Sequence, residues 1–369
     1  MRVVSLTLRD FRSYHDAQVS FGDGLTVVAG PNGAGKTNLL EALYFGCIGR
    51  SCRTSNEREV VRFGADATRV VVRSLGEGGP HELSVGFAPG QPKRLRVDGA
   101  PVERLIDSPA RPLVSVFLPD RLELIKGAPA VRRAHMDQFV AALWPARAET
   151  RRAYGQALVQ RNALIARIRS GRGSRDSLAG WDAQLARHGV ALIADRTRAL
   201  AAIAEPARRI GGALGLDSEL SVSYRPRSHA VEPEQLAREL GERVDQDVER
   251  GFTGHGPHRD ELATQLADRE LRAYGSQGQQ RIALLALLLA EREAILAHRG
   301  TLPVMLLDDV MSELDQIRRQ ALVELLRSGS GQSVITTTDL EHVPGATEGG
   351  VTRLTVLDGA VLEEAIVAG

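Results

Sequence analysis

Gly30-Pro31-Asn32-Gly33-Ala34-Gly35-Lys36-Thr37 satisfies G-x-x-x-x-G-K-[ST], the pattern of a phosphate-binding loop. Its surroundings fit the pattern. Leu25-Thr26-Val27-Val28-Ala29 reads as a buried strand entering the loop, and Asn38-Leu39-Leu40-Glu41-Ala42-Leu43-Tyr44 reads as a helix leaving it. Glycines let such a loop turn its N–H groups onto phosphate oxygens, and the helix adds the positive end of its dipole. In that arrangement Gly30, Pro31, Asn32, Gly33, Ala34 and Gly35 form the cradle. Lys36 reaches the outer phosphates, and the Thr37 hydroxyl ligates Mg²⁺. The plain alternative is a glycine-rich turn with a chance lysine. The strand–loop–helix setting argues against it.

A second element belongs with the first. Val304-Met305-Leu306-Leu307-Asp308-Asp309 is four apolar residues followed by two acids, a buried strand ending in carboxylates. Such a strand supplies the acid that shares Mg²⁺ with the loop hydroxyl, which assigns Asp308 to the metal. Asp309 is then the candidate for polarising an attacking water. Between the two elements, Gly275-Ser276-Gln277-Gly278-Gln279-Gln280 opens a long apolar helix expected over 277–298. Ser276 suits its N-cap, where a hydroxyl, free N–H groups and the helix dipole favour an anion. Asp315 closes Ser312-Glu313-Leu314-Asp315, just beyond the acidic strand end.

The chain has 369 residues, room for two domains or one interrupted one. Its longest apolar run, Ile282 to Ala290, is too short to span a bilayer, and no signal peptide opens the chain. Cys47 and Cys52 lack metal-ligand spacing and read as reduced thiols, which suggests a cytoplasmic protein. Net charge is only +1, but it is unevenly spread. From Arg121 to Arg175, eleven Arg and one Lys face Glu123, Asp137 and Glu149, a local +9 that leaves −8 for the rest. That asymmetry suggests a polyanion-facing segment. Arg132, Arg133, Arg147, Arg151 and Arg152 are its candidate DNA contacts; the competing reading is a solvated or packed arginine-rich surface. Arg in place of Lys carries no weight, because Lys36, Lys93 and Lys126 are the only lysines.

Short strand patterns dominate to about residue 118, with hairpin signals at Asp98-Gly99 and, near the C-terminus, Asp358-Gly359. Helical periodicity takes over from 119 to 250, with helices expected over 130–143, 146–169, 178–204 and 232–250. The expected organisation is an ATPase head in two parts, 1–118 and 251–369, separated by a helical lobe over 119–250. The fold class is α/β, with no internal repeat and no sustained heptad pattern.

The order of P-loop, insertion, Ser-x-Gly helix start, acidic strand and Leu-Asp turn resembles the ATP-binding-cassette (ABC) superfamily. Two further stretches narrow the resemblance: Pro119-Asp120-Arg121 through Arg132-Arg133 to Asp137, and Gly256-Pro257-His258-Arg259-Asp260. With Leu8-Arg9-Asp10-Phe11-Arg12-Ser13-Tyr14 at the start, the chain is similar almost end to end to the RecF family of bacterial recombination-mediator ATPases. The resemblance implies ATP and Mg²⁺ as ligands and an ATP-dependent homodimer. It implies binding to double-stranded DNA near single-strand gaps, help in loading RecA, and RecR and RecO as partners. It also implies that Ser276 and Gly278 meet the γ-phosphate held by a partner subunit, with Asp315 at the seam. Asp309, where most cassette ATPases carry glutamate, implies slow hydrolysis. His135 stands where the family usually has an aromatic residue. Thr338 replaces the usual switch histidine, and Asp120 stands in for a missing Q-loop glutamine. Arg12 and Arg53 are further phosphate-contact candidates, or plain surface arginines. The rival reading is an SMC-like clamp in which nucleotide only controls association.

Overall fold

The computed structural model describes residues 1–119, 122–329 and 331–363; Asp120, the expected Q-loop stand-in, lies outside them. The chain begins as an antiparallel sheet. Strand β1 (Arg2–Phe11) pairs with β2 (Tyr14–Ser20). After β3 (Leu25–Ala29), helix α1 (Lys36–Ile48) crosses this sheet, which continues through β4 (Thr68–Gly76), β5 (Gly79–Phe87), β6 (Arg94–Val97) and β7 (Ala100–Pro101). The order is β2-β1-β4-β5-β6-β7. Alternation along each strand sends Leu6, Leu8, Val70, Val72, Leu83 and Val85 to one face, where they are fully buried in the core that includes α1. Asp98 and Gly99 take positive φ (50° and 81°), as a two-residue hairpin turn requires. Strand β8 (Val114–Phe117) then leaves this sheet for another.

A mainly helical unit follows. It contains α2 (Glu123–Lys126), α3 (Pro129–Leu143), α4 (Ala148–Arg169), α5 (Leu178–Ala213), β9 (Leu220–Arg225), α6 (Pro233–Gly241) and α7 (Val244–Arg250). It ends with β10 (Glu261–Leu266), β11 (Arg269–Glu270), α8 (Leu271–Tyr274) and α9 (Gln277–Arg299). Two expectations change here. Helix α5 runs through Pro206 rather than stopping at 204, because the buried stripe Ile203, Ala207 and Ile210 continues past the proline. The helix expected over 232–250 is two helices, the first opened by a capping box between Glu232 and Gln235.

The chain then returns to the head through β12 (Val304–Leu307), α10 (Gln316–Ser328), β13 (Ser333–Thr337), β14 (Thr352–Leu357) and β15 (Ala360–Glu363). The second sheet has order β15-β14-β3-β13-β12-β8 and is parallel except at β15. Its central strand β3 is buried along its whole length, as a parallel strand covered on both faces must be.

The compact units are 1–121 with 300–369, and 122–299. The segment 251–299 therefore groups with the helical lobe, not with the C-terminal head as expected. The reason is pairing: β10 adds antiparallel to β9 from Glu261↔Arg225 to Leu266↔Leu220, and α9 packs along α5. Buried ion pairs fasten this unit. Arg161 is fully buried, with Nε on Asp182 (2.6 Å) and Nη1 on Asp247 (2.6 Å) and Thr253 (2.8 Å). Arg196 forks onto Asp137 (2.8 and 3.1 Å) and donates to the Pro257 carbonyl (2.7 Å).

Within the head, Gln332 bonds the antiparallel sheet to the start of β13. Its Oε1 accepts from Val3 N (2.8 Å), and its Nε2 donates to Val3 O (2.7 Å) and Gly22 O (2.8 Å). Gln332→Ala strands the buried N–H and C=O of Val3 and the part-buried C=O of Gly22. Each unsatisfied group costs about 1–3 kcal/mol, so the expected loss is about 3 kcal/mol in denaturant unfolding of the head. A loss below about 0.5 kcal/mol would show that solvent replaces the glutamine freely.

Candidate nucleotide site

The P-loop sits at the C-terminal end of β3, and α1 starts at Lys36. Two of its glycines are dictated by close neighbours. A Cβ on Gly30 would lie 2.2 Å from the Val356 carbonyl oxygen. Gly35 has φ 117°, and a Cβ there would meet Ser13 Oγ at 2.9 Å and Tyr14 Oη at 3.0 Å. The loop is held from two sides. Tyr14 Oη donates to Gly35 O (2.9 Å), and Gly359 N, in the β14–β15 turn, donates to Ala34 O (3.1 Å). The family-like start of the chain and its final hairpin therefore brace the same loop.

The acidic strand end arrives beside it. Thr37 Oγ1 lies 2.9 Å from both carboxylate oxygens of Asp308, a contact between residues 271 positions apart. Thr336 Oγ1 donates to Asp308 Oδ1 (2.7 Å) and accepts from Asp309 N (2.9 Å). Asp309 holds φ 43°, a left-handed conformation that costs a non-glycine residue on the order of 1 kcal/mol or more. Ser312 Oγ bonds Asp309 Oδ2 (2.9 Å), while Asp309 Oδ1 is buried with no hydrogen-bond partner among the described residues.

Electrostatics match a polyphosphate with a divalent cation. Burial raises the Asp308 carboxyl above its usual range and the neighbouring Asp309 charge adds to this, while bonds from Thr336 and Thr37 oppose it. Burial lowers the Lys36 ammonium, against the pull of Asp309 and Asp308. Lys36 Nζ donates to Gly30 O (2.7 Å) and Pro31 O (3.0 Å), carbonyls of the phosphate loop itself. The residues present fit a nucleoside triphosphate with Mg²⁺: Thr37 and Asp308 would hold the metal, and Lys36 with the loop amides the phosphates. The unpartnered Asp309 oxygen suits a water.

Arg12 and Arg53 converge on α1 rather than standing free. Arg12 Nε and Nη2 grip the fully buried Glu41 (2.9 and 2.8 Å), and Arg53 Nη1 reaches Glu41 (3.1 Å) and Asn38 (3.0 Å). Thr338 lies exposed beyond the end of β13. Thr336 was not singled out in the sequence, although it is the strand threonine that touches Asp308. Cys47 and Cys52 are both buried, and burial pushes the Cys47 thiol up to about 12.

Ser276 opens α9 in the helical unit as a capping box. Gln279 N donates to Ser276 Oγ (3.2 Å), and Ser276 N to Gln279 Oε1 (2.9 Å). Ser276, Gln277 and Gly278 are all exposed. Asp315 caps α10, accepting from Arg318 N (2.9 Å), with an exposed side chain.

Of the five candidate DNA arginines, the structure buries Arg132 and gives the other four partners within the lobe. Arg132 is only 2% exposed and is bound to Glu261 (2.6 Å) and to the Gly127 carbonyl (2.6 Å). Arg133 donates to Asp260 O (2.7 Å). These two tie the Arg-Arg motif to the Gly-Pro-His-Arg-Asp motif. Asp260 in turn is fully buried and bonded by Tyr224 Oη, while His258 joins Tyr154 Oη (2.7 Å) to Thr253 O (2.9 Å). The pair of motifs is a packing joint. Arg147, Arg151 and Arg152 are half-exposed but paired with Asp195 (3.4 Å), Asp137 (3.0 Å) and Glu149 (2.8 Å). His135, at the departed position, bonds Glu291 (2.7 Å).

No helix among the described residues is long and apolar enough to cross a membrane. Residues 5–82 match the model of an AAA domain. The chain is 37% identical to the DNA replication and repair protein RecF of Heliobacterium modesticaldum, covering 92% of this chain and 93% of that one. It is 37% identical to RecF of Myxococcus xanthus, covering 98% and 97%. A solved structure of the recombination mediator RecF with ATP, of the RecFOR pathway, superposes with a TM-score of 0.86 at 27% identity, covering 99% of this chain and 98% of that one. An SMC head bound to the winged-helix domain of ScpA gives 0.61 at 15% identity, covering 100% and 98%, which shows a shared ABC-type ATPase fold and no more. With relatives alike over nearly their full length, this chain belongs to the RecF family of DNA replication and repair proteins.

Proposed function

We propose that this chain is an ATP-gated recombination mediator. It binds ATP and Mg²⁺ in the head, dimerises on ATP, and binds double-stranded DNA beside single-strand gaps. It helps load RecA, with RecR and RecO as partners, and it hydrolyses ATP slowly as a release step. The observation that carries the reading is the meeting of Thr37 with Asp308, a loop hydroxyl and a strand-end carboxylate at 2.9 Å. That pair is what a P-loop ATPase uses to share one Mg²⁺. Family membership turns a generic ATPase head towards DNA repair.

The proposed roles draw on the head's geometry for the loop and acidic strand, and on the family resemblance for the partner-facing residues. Gly30, Asn32, Gly33, Gly35 and Lys36 orient the phosphates, and Thr37 and Asp308 hold Mg²⁺. Asp309 polarises water through the oxygen left without a partner. Ser276 and Gly278, exposed at the start of a 23-residue helix, complete a partner subunit's site at the γ-phosphate, and exposed Asp315 contributes to the seam. Sedimentation velocity tests the reading. ATP with Mg²⁺ should convert monomer to dimer, EDTA should reverse this, and gapped duplex should bind more tightly with ATP than without. ATP binding with no change of mass, or DNA affinity indifferent to ATP, would overturn it.

A further inference from the structure

The antiparallel sheet of the head has one face buried and one open, and the register fixes what the open face carries. Arg9 on β1 lies directly opposite Arg69 on β4, Arg69 opposite Gly86 on β5, and Gly86 opposite Arg94 on β6. Two residues along, the row is Thr7, Val71, Ser84 and Arg96; the next is Ser5, Arg73 and Glu82. Residues directly opposite share a face, and this face is opposite to that of buried Leu8, Val70 and Val85. The open side therefore presents Arg9, Arg69, Arg73, Arg94 and Arg96.

Arg73 is paired with Glu82 (3.1 Å). Arg9, Arg69, Arg94 and Arg96 are exposed and have no ion-pair partner among the described residues. The only other acid in register is Asp16, opposite Arg9 at the β2 edge, so the face carries a net positive charge. Like charges directly opposite across strands destabilise a sheet. Arg9 against Arg69 is such a pair, with Asp16 across from Arg9 on the β2 side as its in-register counter-charge. Between the arginines the surface is low: half-buried Ser5, Thr7, Val71 and Gly86 offer small side chains and hydroxyls. From Arg9 to Arg94 is three strand spacings, about 14 Å. That length of duplex presents about four phosphates of one strand.

We propose that this open sheet face is a docking surface for the phosphate backbone of duplex DNA, read without regard to sequence. The proposal rests on the DNA-binding reading above and moves the contact from the arginines of 132–152, which the lobe's own carboxylates and, for Arg133, a backbone carbonyl engage, to the head. Charge complementarity selects the occupant: four guanidiniums without an ion-pair partner among the described residues, set in a small-residue field, fit a polyanion better than a folded apolar partner.

The test is the salt dependence of binding to a fluorescein-labelled duplex, with ATP and Mg²⁺ present. A variant carrying Arg9→Ala, Arg69→Ala and Arg94→Ala should lose about 0.9 of log–log slope per contact removed, between about 2 and 3 in all. Its affinity should fall at least about tenfold at moderate salt. The same three positions changed to Lys should restore the slope, because a backbone contact reads charge. Both variants should retain ATP binding, which reports an intact head. An unchanged slope in the alanine variant, with the wild type binding DNA normally, would overturn this surface and point instead to an acidic protein partner. A wild type with no salt-dependent DNA binding would sink the DNA reading itself, and this inference with it.

Discussion

Lys36→Met should abolish every nucleotide-dependent property while leaving the fold in place. The ammonium is nearly buried, and its donors are directed at the Gly30 and Pro31 carbonyls, where the loop curls. Methionine keeps the unbranched stem and its packing but removes the charge. Two hydrogen bonds to loop carbonyls disappear, worth on the order of 1 kcal/mol each. The unfolding midpoint should therefore move by only a few degrees. Function is far more exposed. A donor preorganised for phosphate charge is worth about 10²–10³ in turnover, and bonds to charged oxygens contribute about 1.5–3 kcal/mol each to affinity. Hydrolysis should drop below detection, and sedimentation should show monomer at all ATP concentrations. A folded Lys36→Met protein that still dimerises with ATP would show that the loop does not hold the nucleotide.

The loop, the acidic strand and the serine helix start were legible because each is a local pattern with a local cause. What touches them was not. Thr336, Thr337 and Thr338 form an undivided run, and only the parallel register of Leu307 with Ile335 sets Thr336 beside Asp308. The lobe boundary failed for the same reason. Nothing near residue 251 announces that β10 will pair with β9, some forty residues earlier. Charge counting also misled. It recorded the arginines of 121–175 but not that Arg132 and Arg161 are buried among acids contributed by distant segments. The alternation in β1, β4 and β6 was visible in sequence. That Arg9, Arg69 and Arg94 fall in one row was not, because a row is a property of register.

Ser276→Arg should separate nucleotide binding from assembly. The P-loop of the altered subunit is untouched, so monomeric ATP affinity should match the wild type. Ser276, Gln277 and Gly278 lie exposed at the start of α9, and a long cation there occupies the surface that the proposed partner's γ-phosphate must reach. ATP-driven dimers and hydrolysis should both be lost. The local cost is separable, because Ser276 is also half of a capping box with Gln279. Losing that cap costs about 1 kcal/mol of helix stability. A serine that only caps predicts a lower unfolding midpoint with full dimerisation in the folded fraction. Ser276→Ala removes the cap without adding bulk and measures that contribution alone. Mixing variants gives the sharper result. A Lys36→Met subunit paired with a Ser276→Arg subunit carries one site with both residues intact and one with both replaced. Two residues that act across an interface should give the mixture hydrolysis that neither variant has alone, up to about half the wild-type rate if sites turn over independently. Cross-linked heterodimers that stay inactive, beside active cross-linked wild type, would rule out independent composite sites. ATP-dependent assembly of the mixture would then decide between two sites that must fire together and a serine with no role at the seam.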